Sequence, residues 1–182
     1  MCIRDRPNTY AAANTVIRKP AACSGKILFE GELGVVIGKR CSNVSVEDID
    51  NYIFGYTCVN DVTALEFLFA EEKFAHWSRA KCMDGFGVFG PVITTDVNPE
   101  NLVIKTFLEG EDQVQERQNY PVSDMFYGPR ETASLISQDM TLEAGDIIAC
   151  GTSVGAGAMK DGWTVRISID GVGELVNTYS ET

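Results

Sequence analysis

Basic residues, histidine and long apolar runs are all scarce in this chain of 182 residues. Lys and Arg number 15 against 26 Asp and Glu, a formal net charge of −11. Such a chain is repelled by nucleic acid and by anionic membrane, so neither is expected as a partner. Nowhere do apolar residues run to the ~18 or more that a membrane helix needs, and no charged-then-apolar leader is read near the start. The single histidine, His76, excludes a His-rich zinc site. None of the cysteines forms a CxxC pair. Reduced thiols packed as small hydrophobes in a cytoplasmic protein are therefore the expectation.

Hydrophobic residues make up 45% of the chain, enough for one sizeable core and one domain. No internal repeat or low-complexity linker divides it. The opening hexapeptide "MCIRDR" joins abruptly to "PNTYAAANTVIRKP". It resembles a translated sequencing adapter, so residues 1–6 are expected to be a non-native scar and 7–182 the domain. On that reading the native protein began further upstream.

Short strand-like runs dominate. "ILFEGELGVVI" (27–37), "YTCVND" (56–61) and "PVITT" (91–95) read as strands. "LVIKTFLEGEDQVQERQ" reads as two strands joined across "EGED", and "WTVRISIDGVGELVNTY" as a closing strand pair broken at "DGVG". "DIIAC" is one more strand. Helices are expected after Ser45, over "VTALEFLFAEEKFAHW" and after Pro129. The fold class is α+β with a dominant, mixed β-sheet.

The first strand poses the chemical question. On a strand, Glu30 and Glu32 share one face. A wet outer face would carry them without further consequence. "LGVVIG" is apolar on both faces, however, which suits an interior strand, and two interior acids need a positive partner. Asp61, where a strand gives way to a helix, is a third acid that fits, or else an ordinary helix cap. Three carboxylates without His or Cys make a hard oxygen site that favours Mg2+, Mn2+ or Ca2+. "GTSVGAG" is a Gly-rich turn whose backbone N–H groups can cradle a carboxylate, or a plain tight turn.

Several motifs in one order, "FEGELGVVIGKR", "GYTCVNDVTA", "WSRAKCMDGFGVFGP", "MTLEAGDIIACGTSVGAG" and "DGVGELVNTY", resemble the fumarylacetoacetate hydrolase family across nearly all of residues 7–182. The resemblance implies the family's mixed, mainly-β roll, usually a homodimer. It implies that Glu30, Glu32 and Asp61 bind one divalent cation. Lys81 becomes a catalytic residue near metal and substrate, and Gly151 and Thr152 become substrate-binding, with Thr152 contacting a substrate carboxylate. It also implies an enzyme acting on small 2-oxo acids and 1,3-dicarbonyls. The leading expectation is C–C hydrolysis of an acylpyruvate. Decarboxylation, hydration or isomerisation of a 2-oxo diacid is the alternative. A 2-oxo carboxylate suits such a site, because a Lewis acid stabilises the enolate left when a bond breaks.

The chain departs from the family pattern at four places. Ser153 stands where many members have the Pro of GTP. Leu65 and Leu68 stand where many have the Arg and Gln of TARDxQ, which points to a different or more apolar substrate. Cys82 replaces a Gly. The family's water-activating His–Glu pair lies on a lid upstream of the ExE strand, whereas His76 lies downstream of Asp61, so the lid is expected to have been lost with the upstream segment. Two readings from other classes stand beside this one. One is a metal-stabilised binding protein without turnover. The other is a carbohydrate-acting enzyme using Glu30 and Glu32 as an acid/base pair, since a ~6–7 Å separation on one strand face overlaps glycosidase spacing.

Overall fold

The β-branched and alternating runs of residues 7–182, the part that the computed structural model describes, become a mainly-β fold with three short helices. The hexapeptide 1–6, expected to be a scar, lies outside the described residues. In chain order the first strands are β1 (Tyr10–Ala11), β2 (Val16–Arg18), β3 (Ile27–Phe29) and β4 (Gly31–Ile37). Then follow β5 (Ile53–Asp61), β6 (Thr63–Ala64), α1 (Leu65–Leu68), α2 (Trp77–Lys81) and β7 (Gly87–Thr94). The second half holds β8 (Val103–Glu109), β9 (Val114–Pro121), α3 (Pro129–Asp139), β10 (Ile147–Ala149), β11 (Gly157–Ala158), β12 (Thr164–Ile169) and β13 (Gly173–Ser180).

Three sheets result. One has the order β1-β7-β5-β4-β10, a small one β11-β3-β6, and the third β2-β13-β12-β8-β9. The pairs β1–β7 and β13–β2 are parallel and the others antiparallel, so the architecture is mixed. The core lies between the sheets and includes Phe29, Leu33, Val35, Phe86, Val88, Ile104, Leu108 and Ile167. No helix among the described residues is long and apolar enough to cross a membrane.

The run 27–37 is not one strand. It breaks at Glu30, with β3 in the small sheet and β4 in the first five-stranded sheet. All of β4 is buried, as a two-faced apolar run in an interior strand must be. The break follows from close approach. A Cβ at Gly31 would sit 1.9 Å from Thr106 Oγ1 of β8, so only glycine lets the third sheet come this near.

The helix expected over "VTALEFLFAEEKFAHW" is the main difference. Residues 62–64 stay extended, α1 lasts one turn, and a looped segment leads to α2. The His76 N–H closes that loop on the Leu68 carbonyl at 3.0 Å.

Candidate metal centre

Glu30, Glu32 and Asp61 come together where two strand boundaries meet: the step from β3 to β4, which holds Glu30 and leads to Glu32, and the end of β5. The backbone fixes Glu30 from both sides. Its carbonyl accepts the Asp61 N–H at 2.9 Å, and its own N–H donates to Asn60 Oδ1 at 3.0 Å. One ligand oxygen from each of the three carboxylates lies within 4.8 Å of the others. The site is recessed: the Glu30 side chain is 16% exposed and that of Asp61 5%.

Neighbouring donors hold the carboxylates in place. Thr63, on β6, gives its hydroxyl proton to Glu30 Oε1 at 2.8 Å. The Gly151 N–H, in the loop after β10, donates to Glu32 Oε2 at 2.8 Å. Lys81, at the end of α2 and only 3% exposed, donates from Nζ to Glu30 Oε2 at 2.9 Å and to Asp61 Oδ2. Its ammonium also faces the Trp77 ring, 5.7 Å from the centroid. Lys81 is therefore a member of the cluster and not a surface lysine.

These residues suit a hard divalent cation. All three side chains are carboxylates, the donor type that Mg2+, Mn2+ and Ca2+ select. Three carboxylates and one ammonium sum formally to −2, the charge that such an ion balances. Asn60 Nδ2 adds a second observation. It is buried, its partner oxygen is committed to Glu30, and it has no hydrogen-bond partner among the described residues. A water or ligand oxygen beside the triad would satisfy it. Lys81 and Asp61 in one cluster with the two glutamates also set the site apart from a two-carboxylate glycosidase pair.

A cavity of about 840 Å3 is lined among others by Arg117, Gln118, Tyr120, Tyr127, Gly151 and Thr152, and is linked to the triad through Gly151, whose N–H holds Glu32. Gly151 has a positive φ of 100°, which turns the chain sharply after β10. The Thr152 hydroxyl faces inward: it donates to the Gly31 carbonyl at 3.0 Å and accepts from Gln118 Nε2 at 2.7 Å. Burial, and then the charge of Glu32, push the Tyr120 phenol well above its ordinary range, so it stays a donor. His76 stands apart from the acidic cluster, its ring edge-on to Phe74 at 5.0 Å. Of the two leucines that depart from the family pattern, Leu68 is buried and Leu65 half-buried, both on α1 directly after β6. The residues that sequence reasoning missed are Asn60, Thr63, Gln118 and Tyr120. Only Asn60 and Thr63, flanking Asp61 in "VNDVTA", carried a local signal.

The family described as "Fumarylacetoacetate (FAA) hydrolase C-terminal" matches residues 2–180. Among curated proteins, an oxaloacetate tautomerase of Bacillus subtilis is 34% identical over 187 residues, 97% of this chain and 60% of that protein. Among solved structures, a 2-hydroxyhepta-2,4-diene-1,7-dioate isomerase from Mycobacterium marinum superposes with a TM-score of 0.89 at 38% identity, covering 96% of this chain and 66% of that one. A fumarylacetoacetate hydrolase from Exiguobacterium antarcticum gives a TM-score of 0.87 at 32% identity, covering 97% and 64%. The chain spans about 60% of the length of that tautomerase and of three further curated relatives.

Proposed function

The chain belongs to the fumarylacetoacetate hydrolase family, and from that membership we propose that it is the core of a divalent-metal-dependent enzyme acting on a small 2-oxo acid. Glu30, Glu32 and Asp61 hold the cation, Mg2+ or Mn2+ before Ca2+, and Lys81 is catalytic. The observation that carries this reading is the convergence of those three carboxylates with a buried lysine.

A bound cation supplies Lewis acidity that lowers the cost of negative charge on a substrate keto oxygen. The remaining chemistry belongs to the chain. Lys81 holds a proton at Nζ between two carboxylates, within reach of a group that displaces either contact. The Thr152 and Ser153 N–H groups make no hydrogen bond among the described residues and border the cavity, where they can receive a substrate carboxylate. Thr152 thus contributes through its backbone, its hydroxyl proton being committed to Gly31.

Enolate formation from a 2-oxo diacid, by loss of a proton for isomerisation or of CO2 for decarboxylation, is the first reaction to test. It needs no activated water, and His76 is not in the cluster. The tautomerase and isomerase relatives support this order. Hydrolysis of an acylpyruvate is the second reading, favoured by the likeness to the Exiguobacterium hydrolase. The proposal includes a homodimer and a reducing, cytoplasmic setting, consistent with free thiols at Cys23, Cys41, Cys58, Cys82 and Cys150.

Melting curves with and without millimolar Mn2+ test the metal, and an oxaloacetate keto–enol exchange assay tests the chemistry. A rise in melting temperature that Glu32→Ala abolishes is expected. A melting curve indifferent to metal removes the cation site. Metal binding with silence across a panel of 2-oxo acids leaves the binding-protein reading in its place.

A further inference from the structure

Gly31 lies between two of the proposed ligands, and both polar groups of its backbone are taken by side chains from elsewhere. Its N–H donates to Gln118 Oε1 at 3.1 Å. Its carbonyl accepts from the Tyr120 hydroxyl at 2.8 Å and from Thr152 Oγ1 at 3.0 Å. Gln118 then closes the arrangement: its Nε2 donates to Thr152 Oγ1 at 2.7 Å and to the Ser153 carbonyl at 3.1 Å. The Tyr120 hydroxyl also lies 3.2 Å from the Gly151 carbonyl. The Thr152 hydroxyl proton goes to Gly31, so its lone pair receives the Gln118 amide.

Gln118 is 2% exposed and sits two residues from Tyr120 on β9, so both side chains leave the strand on one face. Strand β9 belongs to a different sheet from β4. The contacts therefore bridge the two sheets at a residue where a Cβ would sit 1.9 Å from Thr106 Oγ1.

We propose that Gln118, Tyr120 and Thr152 are positioning residues that clamp the Gly31 backbone and thereby set the separation of Glu30 and Glu32 for a cation. The inference rests on the metal-dependent reading above. Neither glutamate can rotate its backbone relative to the other while Gly31 is held at both its N–H and its carbonyl. Residues that orient ligands from behind typically change metal affinity by about 10- to 100-fold when removed. Because the three act on one residue, their losses should not add.

The test is Mn2+ affinity of the metal-free chain, read by electron paramagnetic resonance of free Mn2+ with no organic anion present. Gln118→Leu and Thr152→Val should each weaken Mn2+ binding by about tenfold or more, and the double variant should lose little beyond the worse single one. Thr152→Ser, which keeps the hydroxyl, should restore affinity. Gln115→Leu, on the same strand but paired only with Gln113, should leave it unchanged. Should Gln118→Leu fail to fold, the contrast between Thr152→Val and Thr152→Ser decides alone. Folded variants that bind Mn2+ like the unaltered chain overturn the clamp and leave the metal site standing. An unaltered chain that binds no Mn2+ overturns the metal site and the clamp together.

Discussion

A lysine 3% exposed is tolerable only with partners, and Lys81 has two carboxylates. Removing one member of a buried ion pair costs about 3–5 kcal/mol, because the other charge is left stranded. Lys81→Met should therefore lower the unfolding free energy in EDTA by about 3 kcal/mol, measured by urea denaturation. Saturating Mn2+ should recover part of that loss, since the ion supplies the missing positive charge. No recovery would mean that the carboxylates do not share a cation. The cysteines offer a pH test at the same scale. Burial pushes the Cys58 thiol up to about 12 and those of Cys23, Cys41 and Cys150 also above their ordinary value. A thiol whose pKa is raised by folding adds nothing unfavourable below its unfolded value of about 8.5. Above that, the unfolded chain ionises first and stability falls progressively toward pH 12. Thermal melts from pH 8 to 10 should show this decline, and Cys58→Ala should lessen it. At pH 8, Cys58 should react with a thiol reagent only after unfolding.

The break between β3 and β4 shows what an element contributes to the site. Gly31→Ala would place a methyl 1.9 Å from Thr106 Oγ1. Overpacking of that kind costs about 1–3 kcal/mol. Here it should also part Glu30 from Glu32, so a chemical melt should show the lower stability and no stabilisation by Mn2+. The sequence pattern conveyed the apolar, interior character of β4, the helix begun by Pro129 and the hairpin of β12 and β13, whose turn uses Gly171 at φ 82°. Each of these depends on neighbours in sequence. It also conveyed Glu30, Glu32, Asp61 and Lys81 as a set, through motif order. The long helix over 62–77 was misread because apolar periodicity does not say where the residues point. Phe69, Phe74 and Trp77 are all at least half exposed, so the spacing there marks no buried helix face. Gln118 and Tyr120 were illegible for a different reason. Their partner Gly31 is 87 and 89 residues away, and "RQNY" gives no local sign of it.

At the scale of the molecule, the site stands at a junction of all three sheets, and its cavity has an apolar rim. Phe126 is 89% exposed and Val154 94%, with Tyr127 beside them at 48%. Large side chains gathered at a cavity mouth are unusual on a free surface and mark a contact region. A second copy of the chain covering this rim would shelter Phe126 and shut water from the cavity. Sedimentation at tens of micromolar should accordingly give twice the mass of one chain. Phe126→Glu with Val154→Glu should shift it to a single chain while altering the melting temperature little, since neither side chain packs in the core. The same pair should also weaken turnover more than Mn2+ binding, because Glu30, Glu32 and Asp61, the proposed ligands, lie on one chain. A single-chain mass for the unaltered protein at that concentration would refute the homodimer and leave the rim without this explanation.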